Sequence, residues 1–125
     1  MFDSYFKKNK DSIYGVFRIV VGLLFASHGA QKLLGLFGGN TVELMSKFGA
    51  AGVIELVGGL MIAFGFFTSI AALLGALDMI GAFVLVHAKS GINPVTNGGE
   101  LVLIYLVAFL VMLAYGPGKW SINKN

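Results

Sequence analysis

A small set of polar side chains interrupts long apolar stretches of the sequence, and these residues are the candidates for chemistry. They are Arg18, His28, Gln31, Lys32, Glu55, Asp78, His87 and Glu100. Within an apolar helix such side chains usually face other helices, where they bind ligands, relay protons or form ion pairs. An imidazole or an ammonium can donate a hydrogen bond to a carbonyl, and a carboxyl can accept or release a proton. We therefore take these residues as candidates for ligand binding or proton handling, without assigning any of them a catalytic role.

Composition places these residues in a membrane protein. Of 125 residues, 57% are hydrophobic and 12% are charged, with a mean hydropathy of +0.84. A soluble domain averages about 25% charged residues, so there is too little charge here to cover a soluble surface. This excludes a disordered tail, a disulfide scaffold and a nucleic-acid-binding module. The length predicts a single domain over residues 1–125.

Four apolar segments predict an all-α, polytopic membrane protein, an antiparallel bundle of four transmembrane helices. They cover residues 13–37, 48–67, 70–87 and 100–115. Each is close to the ~17–25 residues that cross a bilayer, although the last is short. Only Phe67-Thr68-Ser69 joins the second segment to the third, which predicts a tight hairpin.

The depths of the polar residues predict a pocket that opens toward the outer face. At about 1.5 Å per residue, His28 lies about 6 Å and Glu55 about 4 Å outward from the midpoints of their helices. Asp78 lies near the middle of the third. Because Lys32 follows His28 at i+4, both share one helix face. The alternative is purely structural: Lys32–Glu55 and Arg18–Asp78 ion pairs that fix helix register.

Metal and haem chemistry are disfavoured. The sequence has no cysteine, which excludes Fe–S ligation, a Cys-based zinc site and a dithiol relay. The depths of His28 and His87 differ by about 7 Å, which is unsuited to two opposed haem ligands. A metal site of His28, Glu55 and His87 lacks a closely spaced ligand pair. Any redox role therefore needs a bound cofactor or a partner protein.

Lysine distribution predicts cytoplasmic termini and a plasma (inner) membrane location. The terminal side has five lysines, and the other side has three. The five are Lys7, Lys8, Lys10, Lys119 and Lys124, and the three are Lys32, Lys47 and Lys89. Lysine and arginine are enriched in cytoplasmic segments. A cleaved signal peptide is the alternative for the first segment, and Arg18 within its apolar part argues against it.

Four motifs in order resemble the DoxX family of small four-helix membrane proteins. The similarity covers about residues 13–123. It consists of Phe25-Ala-Ser-His28-Gly29-Ala-Gln-Lys32-Leu33 with Phe37-Gly38-Gly39, of Glu55-Leu56-Val-Gly58-Gly59-Leu60 with Gly65 and Thr68, of Asn97-Gly98-Gly99-Glu100-Leu101, and of Gly116-Pro117-Gly118-Lys-Trp120-Ser121-Ile122. Arg18 also matches an arginine early in the family's first helix. Ser69 departs from the family pattern, where Arg or Pro often follows the Thr, which weakens any case for an anion contact at that hairpin.

The resemblance implies a quinone- or redox-associated membrane protein, since relatives are linked with quinone stress, thiosulfate oxidation and oxidative-stress assemblies. Three functions stay open on the sequence. The first is binding of a quinone or phenol, with a quinone as the implied cofactor. The second is a small proton-coupled transporter or exporter. The third is an accessory subunit that binds partner proteins in a membrane redox complex. The lipid bilayer is the expected environment, a homo-oligomer is an open alternative, and no nucleic acid is expected.

Overall fold

The structure, a computed structural model, describes all 125 residues and contains helices but no strand. The α-helices are α1 (Phe2–Lys8), α2 (Lys10–Leu34), α3 (Lys47–Phe64), α4 (Thr68–Leu85), α5 (Pro94–Asn97) and α6 (Glu100–Tyr115), and a 3₁₀ turn covers His87–Ser90. Three of them, α2, α3 and α4 with the turn that follows it, are long and apolar enough to cross a membrane. With 16 residues, α6 is apolar but shorter. The chain is therefore an all-helical membrane protein with three full-length apolar helices.

Glycines determine where two of the long helices end. The first apolar segment is predicted to reach residue 37, but α2 ends at Leu34 because Gly35 adopts a left-handed conformation with φ of 69°. Gly65, with φ of 67°, ends α3 at Phe64 in the same way. A left-handed residue after the last turn lets its N–H satisfy helix carbonyls, and glycine adopts it without a steric penalty. The predicted segments extend past both helices because hydropathy does not detect these caps.

Close approach of α2 and α3 depends on small residues on the facing sides of both helices. A Cβ atom on Gly29 would overlap the backbone nitrogen of Leu56, and one on Gly22 would overlap that of Ala63. On the other side, a Cβ on Gly59 would overlap the nitrogen of Ala26. The backbones are therefore in direct contact, as small residues allow in membrane helices.

The core lies where α2, α3, α4 and α6 meet. Phe25 and Phe109 are fully buried, and their ring centroids are 4.7 Å apart in an edge-to-face arrangement. Tyr105 packs on Phe25 with centroids 5.3 Å apart. Gly75 leaves room for the Phe109 ring, since a Cβ there would lie 2.8 Å from it. These contacts hold α6 against the rest of the chain.

The two ends of the helices differ. At one end, which we call the tail end, Ile122 N donates to Phe64 O (3.1 Å) and Asn123 N donates to Gly65 O (3.2 Å). The opposite end, the loop end, carries residues 35–46 and 86–99. There the buried side chain of Asn97 donates to Gly91 O and accepts from Gly99 N, both at 2.8 Å. One buried amide thus organises the second loop.

Candidate functional site

An ion pair joins α2 and α3 near the loop end. Lys32 Nζ lies 2.6 Å from Glu55 Oε2, and the side chain of Glu55 is 2% exposed while that of Lys32 is 34% exposed. The glycine contacts bring the two residues together, because Gly29 packs on Gly52 at this level and a Cβ on Gly52 would lie 3.2 Å from Lys32 Cβ. The Lys32–Glu55 pair considered at the sequence level is therefore formed. Leaving either charge alone in such a place would be costly.

Asp78 of α4 adds a second carboxyl beside Glu55. No donor of the protein reaches it, and its Oδ2 is buried without a hydrogen-bond partner. Buried polar atoms are nearly always paired, so an unpaired carboxylate oxygen calls for an explanation. Lys32, Glu55 and Asp78 together form what we call the carboxyl cluster. It contains one ammonium and two carboxyls, so binding one proton makes it neutral.

A cavity of about 560 Å³ lies between α3 and α4, and the carboxyl cluster forms part of its wall. Lys47 and His87 line it toward the loop end. The apolar part of the lining includes Phe48, Ala51, Ile54, Leu74, Leu77 and Leu85. A mostly apolar cavity of this size with a few convergent polar groups is typical of small-molecule sites.

A second, smaller cavity of about 70 Å³ lies on the other side of the ion pair. It is lined by His28, Tyr105 and neighbouring apolar side chains, and Lys32 and Glu55 line it as well. The rings of His28 and Tyr105 meet edge to face with centroids 5.8 Å apart. His28 is therefore separated from Asp78 by the ion pair. This volume is enough for roughly two water molecules.

Three other candidates lie around the loop end and not in the carboxyl cluster. Gln31 Nε2 donates to Phe37 O (3.2 Å) and so fixes the first loop. His87 lines the large cavity, and its Nδ1 lies 3.2 Å from Asn97 O. Glu100 is exposed in the first turn of α6 and lines a different groove. The structure thus brings Lys32, Glu55, Asp78 and His87 to one cavity and places Gln31 and Glu100 elsewhere.

Arg18 lies at the tail end and is fully buried. The Arg18–Asp78 pair considered at the sequence level is not formed, because the guanidinium donates to five backbone carbonyls and to no carboxylate. The acceptors, at 2.5–3.3 Å, are Ile62, Ala63, Pro117, Lys119 and Trp120. The arginine thus ties the end of α3 and the C-terminal tail to α2. The spacing of charged residues in the sequence could not identify backbone carbonyls as the acceptors of Arg18. The Gly-Pro-Gly motif after the last helix does mark a turn whose carbonyls are free to accept.

Two residues of the site were not identified as candidates from the sequence. In the sequence, Lys47 contributes only to the lysine count that predicts membrane orientation. In the structure it lines the cavity, and its ammonium lies 5.3 Å from the centre of the Phe48 ring. Tyr105 is buried against His28 in the smaller cavity. The available signal was the position of Tyr105 in the interior of the last apolar segment, where its neighbours in sequence are apolar.

No three His, Asp or Glu residues come together with spacing that suits a metal ion. His28 and His87 line different cavities, which lie on opposite sides of the ion pair. The polar groups that line the large cavity are two ammonium groups, two carboxyls and one imidazole. This combination suits an organic ligand that forms hydrogen bonds.

Comparison with known proteins agrees with the sequence pattern. The family model described as DoxX matches residues 14–88, which contain α3, α4, nearly all of α2 and the whole carboxyl cluster. An uncharacterized protein of Haemophilus influenzae is 35% identical, with 86% of each chain covered. The protein named "Putative oxidoreductase CatD" of Bacillus subtilis is 33% identical, covering 86% of this chain and 87% of its own. "Inner membrane protein YqjF" of Escherichia coli is 33% identical, covering 94% and 95%. No solved structure matches.

Proposed function

The chain belongs to the DoxX family of membrane proteins, and from this premise we propose that its cavity between α3 and α4 binds a quinone or a phenolic compound. The observation that carries the proposal is the cavity of about 560 Å³ with an otherwise apolar wall and the carboxyl cluster within it. A relative is named as an oxidoreductase, which agrees with a ligand of this kind.

The apolar and the polar residues of the cavity lining contact different parts of the ligand. The apolar side chains of α3 and α4 hold the ring, which enters from the lipid. Lys32 keeps N–H donors beyond the one directed at Glu55, and these can donate to a ring oxygen. Asp78 receives no hydrogen bond from the protein, so it can accept one from the ligand or hold a proton. Because the chain has no cysteine, electrons would be exchanged with a partner protein, which makes an accessory subunit of a membrane redox complex compatible with this site.

Placement in the membrane is part of the proposal. We propose that α6 crosses the membrane with the three longer helices as an antiparallel bundle of four, with the termini in the cytoplasm and the loop end outside. The native chain lacks cysteine, so single-cysteine variants have no background. Ser4→Cys and Ser90→Cys place a thiol at exposed positions of opposite ends. In intact cells an impermeant maleimide should label only Ser90→Cys, and labelling of only Ser4→Cys would reverse the orientation.

A binding titration tests the ligand. Purified protein in detergent is titrated anaerobically with duroquinone and with durohydroquinone, and the heat of binding is measured. Ala51→Phe places a ring in the cavity and should abolish binding. Ala114→Phe, the same change at an exposed position of α6, should leave it unchanged. Absence of binding to the native protein, or equal binding by both variants, would contradict the proposal.

Removal of a single charge gives a finer test. Glu55→Gln removes the carboxylate of the ion pair and should weaken binding about tenfold or more, since Lys32 loses the partner that orients it. Glu100→Gln is the matched control, because Glu100 is an exposed carboxyl outside the cavity.

A proton-coupled transporter is the second candidate, and the carboxyl cluster favours it. Two carboxyls beside one ammonium can exchange a proton as a ligand enters or leaves. Vesicles that contain the protein should then take up a fluorescent neutral phenol faster than protein-free vesicles only when a pH gradient is present. Uptake that is independent of the gradient would exclude the coupling, and no uptake together with ring binding would favour the first proposal.

A further inference from the structure

We infer that the cavity selects an apolar ring that carries a hydroxyl, as a hydroquinone or a phenol does, over a ring of the same shape that carries only carbonyls. This inference rests on the proposed function, which it narrows to one form of the ligand. The residue that makes the distinction is Asp78.

Asp78 offers the cavity an acceptor that the protein leaves unused. Neither of its oxygens receives a hydrogen bond from the chain, and only Oδ2 is enclosed without a partner. Oδ1 is therefore the oxygen accessible from the cavity that Asp78 lines. A hydroxyl can donate to this oxygen, whereas a carbonyl has nothing to donate. A bound quinone would displace water and leave the carboxyl without any partner, which is costly in a desolvated site.

Asp78 keeps an acceptor toward the cavity in either protonation state of the cluster. When both carboxyls are ionised, Oδ1 is an acceptor. When Asp78 and Glu55 share one proton, the carboxyl of one residue donates an O–H···O hydrogen bond to the carboxylate of the other. Such a charge-assisted bond is stronger than a bond between neutral groups. The proton then lies on the Glu55 side of Asp78, and the oxygen toward the cavity still accepts. Both states favour a ligand with a donor.

Charge balance argues against a cationic ligand. Lys32 lies in the wall and Lys47 lies toward the loop end, and together they offset the charges of Glu55 and Asp78. A cation would enter past Lys47 and meet Lys32, which is an unfavourable path in a medium of low dielectric. A neutral hydroxyl avoids this cost. It can also accept from the Lys32 ammonium while it donates to Asp78, so it satisfies both groups at once.

The test compares three rings of nearly equal shape: durohydroquinone, duroquinone and the dimethyl ether of durohydroquinone. Each is titrated anaerobically into the native protein in detergent. Durohydroquinone should bind about tenfold or more tightly than either of the others, the fold-change expected for one hydrogen bond to a buried charged group. The ether keeps the aromatic ring and both oxygens and lacks the donor, while duroquinone matches the hydroquinone in size. Equal binding of the hydroquinone and its ether would overturn the inference.

Asp78→Asn adds an NH₂ donor at the same position and replaces the charged carboxylate acceptor with a weaker, neutral amide oxygen. The amide can turn its NH₂ group toward a ring carbonyl, so the variant should lose the preference for durohydroquinone or prefer duroquinone. A preference of unchanged size in Asp78→Asn would place the selecting group elsewhere and overturn the inference. Should this variant fail to fold, the three-ring comparison on the native protein decides alone.

The outcomes separate the inference from the function on which it rests. If both rings bind, are lost in Ala51→Phe and show no preference for the hydroxyl, the proposed function stands and the inference is wrong. If no ring binds, or if Ala51→Phe leaves binding unchanged, the proposed function itself is wrong. Binding of durohydroquinone that is lost in Ala51→Phe, together with a preference for it that is lost or reversed in Asp78→Asn, supports both.

Discussion

Replacing Lys32 with Met should destabilise the protein more than replacing Glu55 with Gln, although both changes break the same ion pair. Lys32→Met leaves Glu55, which is 2% exposed, next to Asp78 with no cation between them. Removing one partner of a buried pair costs about 3–5 kcal/mol. Glu55→Gln is milder, because Lys32 is one-third exposed and can turn to Asp78. The loss of one charge-assisted hydrogen bond costs about 1.5–3 kcal/mol.

The double variant Lys32→Met/Glu55→Gln removes both charges of the pair and should be more stable than Lys32→Met alone. This non-additivity is expected for residues in direct contact. The free energy of unfolding is measured by equilibrium denaturation in mixed micelles, followed by helical circular dichroism. Lys89→Met, at an exposed lysine without an ion pair, controls for loss of a positive charge and should match the native protein. Equal free energies of unfolding for Lys32→Met and Glu55→Gln, or additive effects of the two changes in the double variant, would contradict the prediction.

Further predictions concern the packing and the two ends of the helices. Gly29→Ala should cost about 1–3 kcal/mol of unfolding free energy, because the added methyl meets the backbone of α3. Gly81→Ala, with open space around the new methyl, should be neutral or stabilising by up to about 1 kcal/mol, and equal melting of the two variants would refute the packing argument. Arg18→Lys cannot reach five carbonyls, so amide exchange at residues 118–123 should accelerate while α4 is unchanged; an unaltered tail would show that the arginine does not hold it. Asn97→Ala removes both side-chain bonds of the second loop and should speed tryptic cleavage after Lys89, whereas unchanged cleavage would locate the order of the loop elsewhere.

Much of the helix placement is predictable from the sequence, because an apolar run long enough to cross a bilayer has few alternatives to a helix. The predicted ends differ from the observed ones by a few residues, since Gly35 and Gly65 stop α2 and α3 through a backbone conformation that hydropathy does not encode. α1 and the single turn α5 were not predicted, because short helices have too few turns for periodicity to be read.

The site is partly predictable. Lys32 and Glu55 could be paired in advance, since they carry opposite charges and both lie in the outer halves of helices with small residues in register. The partner of Arg18 could not, because its acceptors are backbone carbonyls, which every residue possesses. The position of Asp78 beside Glu55 depends on the rotation of α4, and that rotation is set by side-chain packing across several helices. The role of Lys47 depends on where a cavity opens, which is a property of the folded chain alone.

Native mass spectrometry of the protein released gently from its own membranes tests the central claim most directly, that the cavity between α3 and α4 holds an apolar ring ligand. The native protein and Ala114→Phe should carry the same bound small molecule, and its mass and fragmentation should be those of a ring with a hydroxyl or carbonyl oxygen. Ala51→Phe should lack it. A native protein that carries no such molecule, or one that is bound equally to Ala51→Phe, would contradict the account.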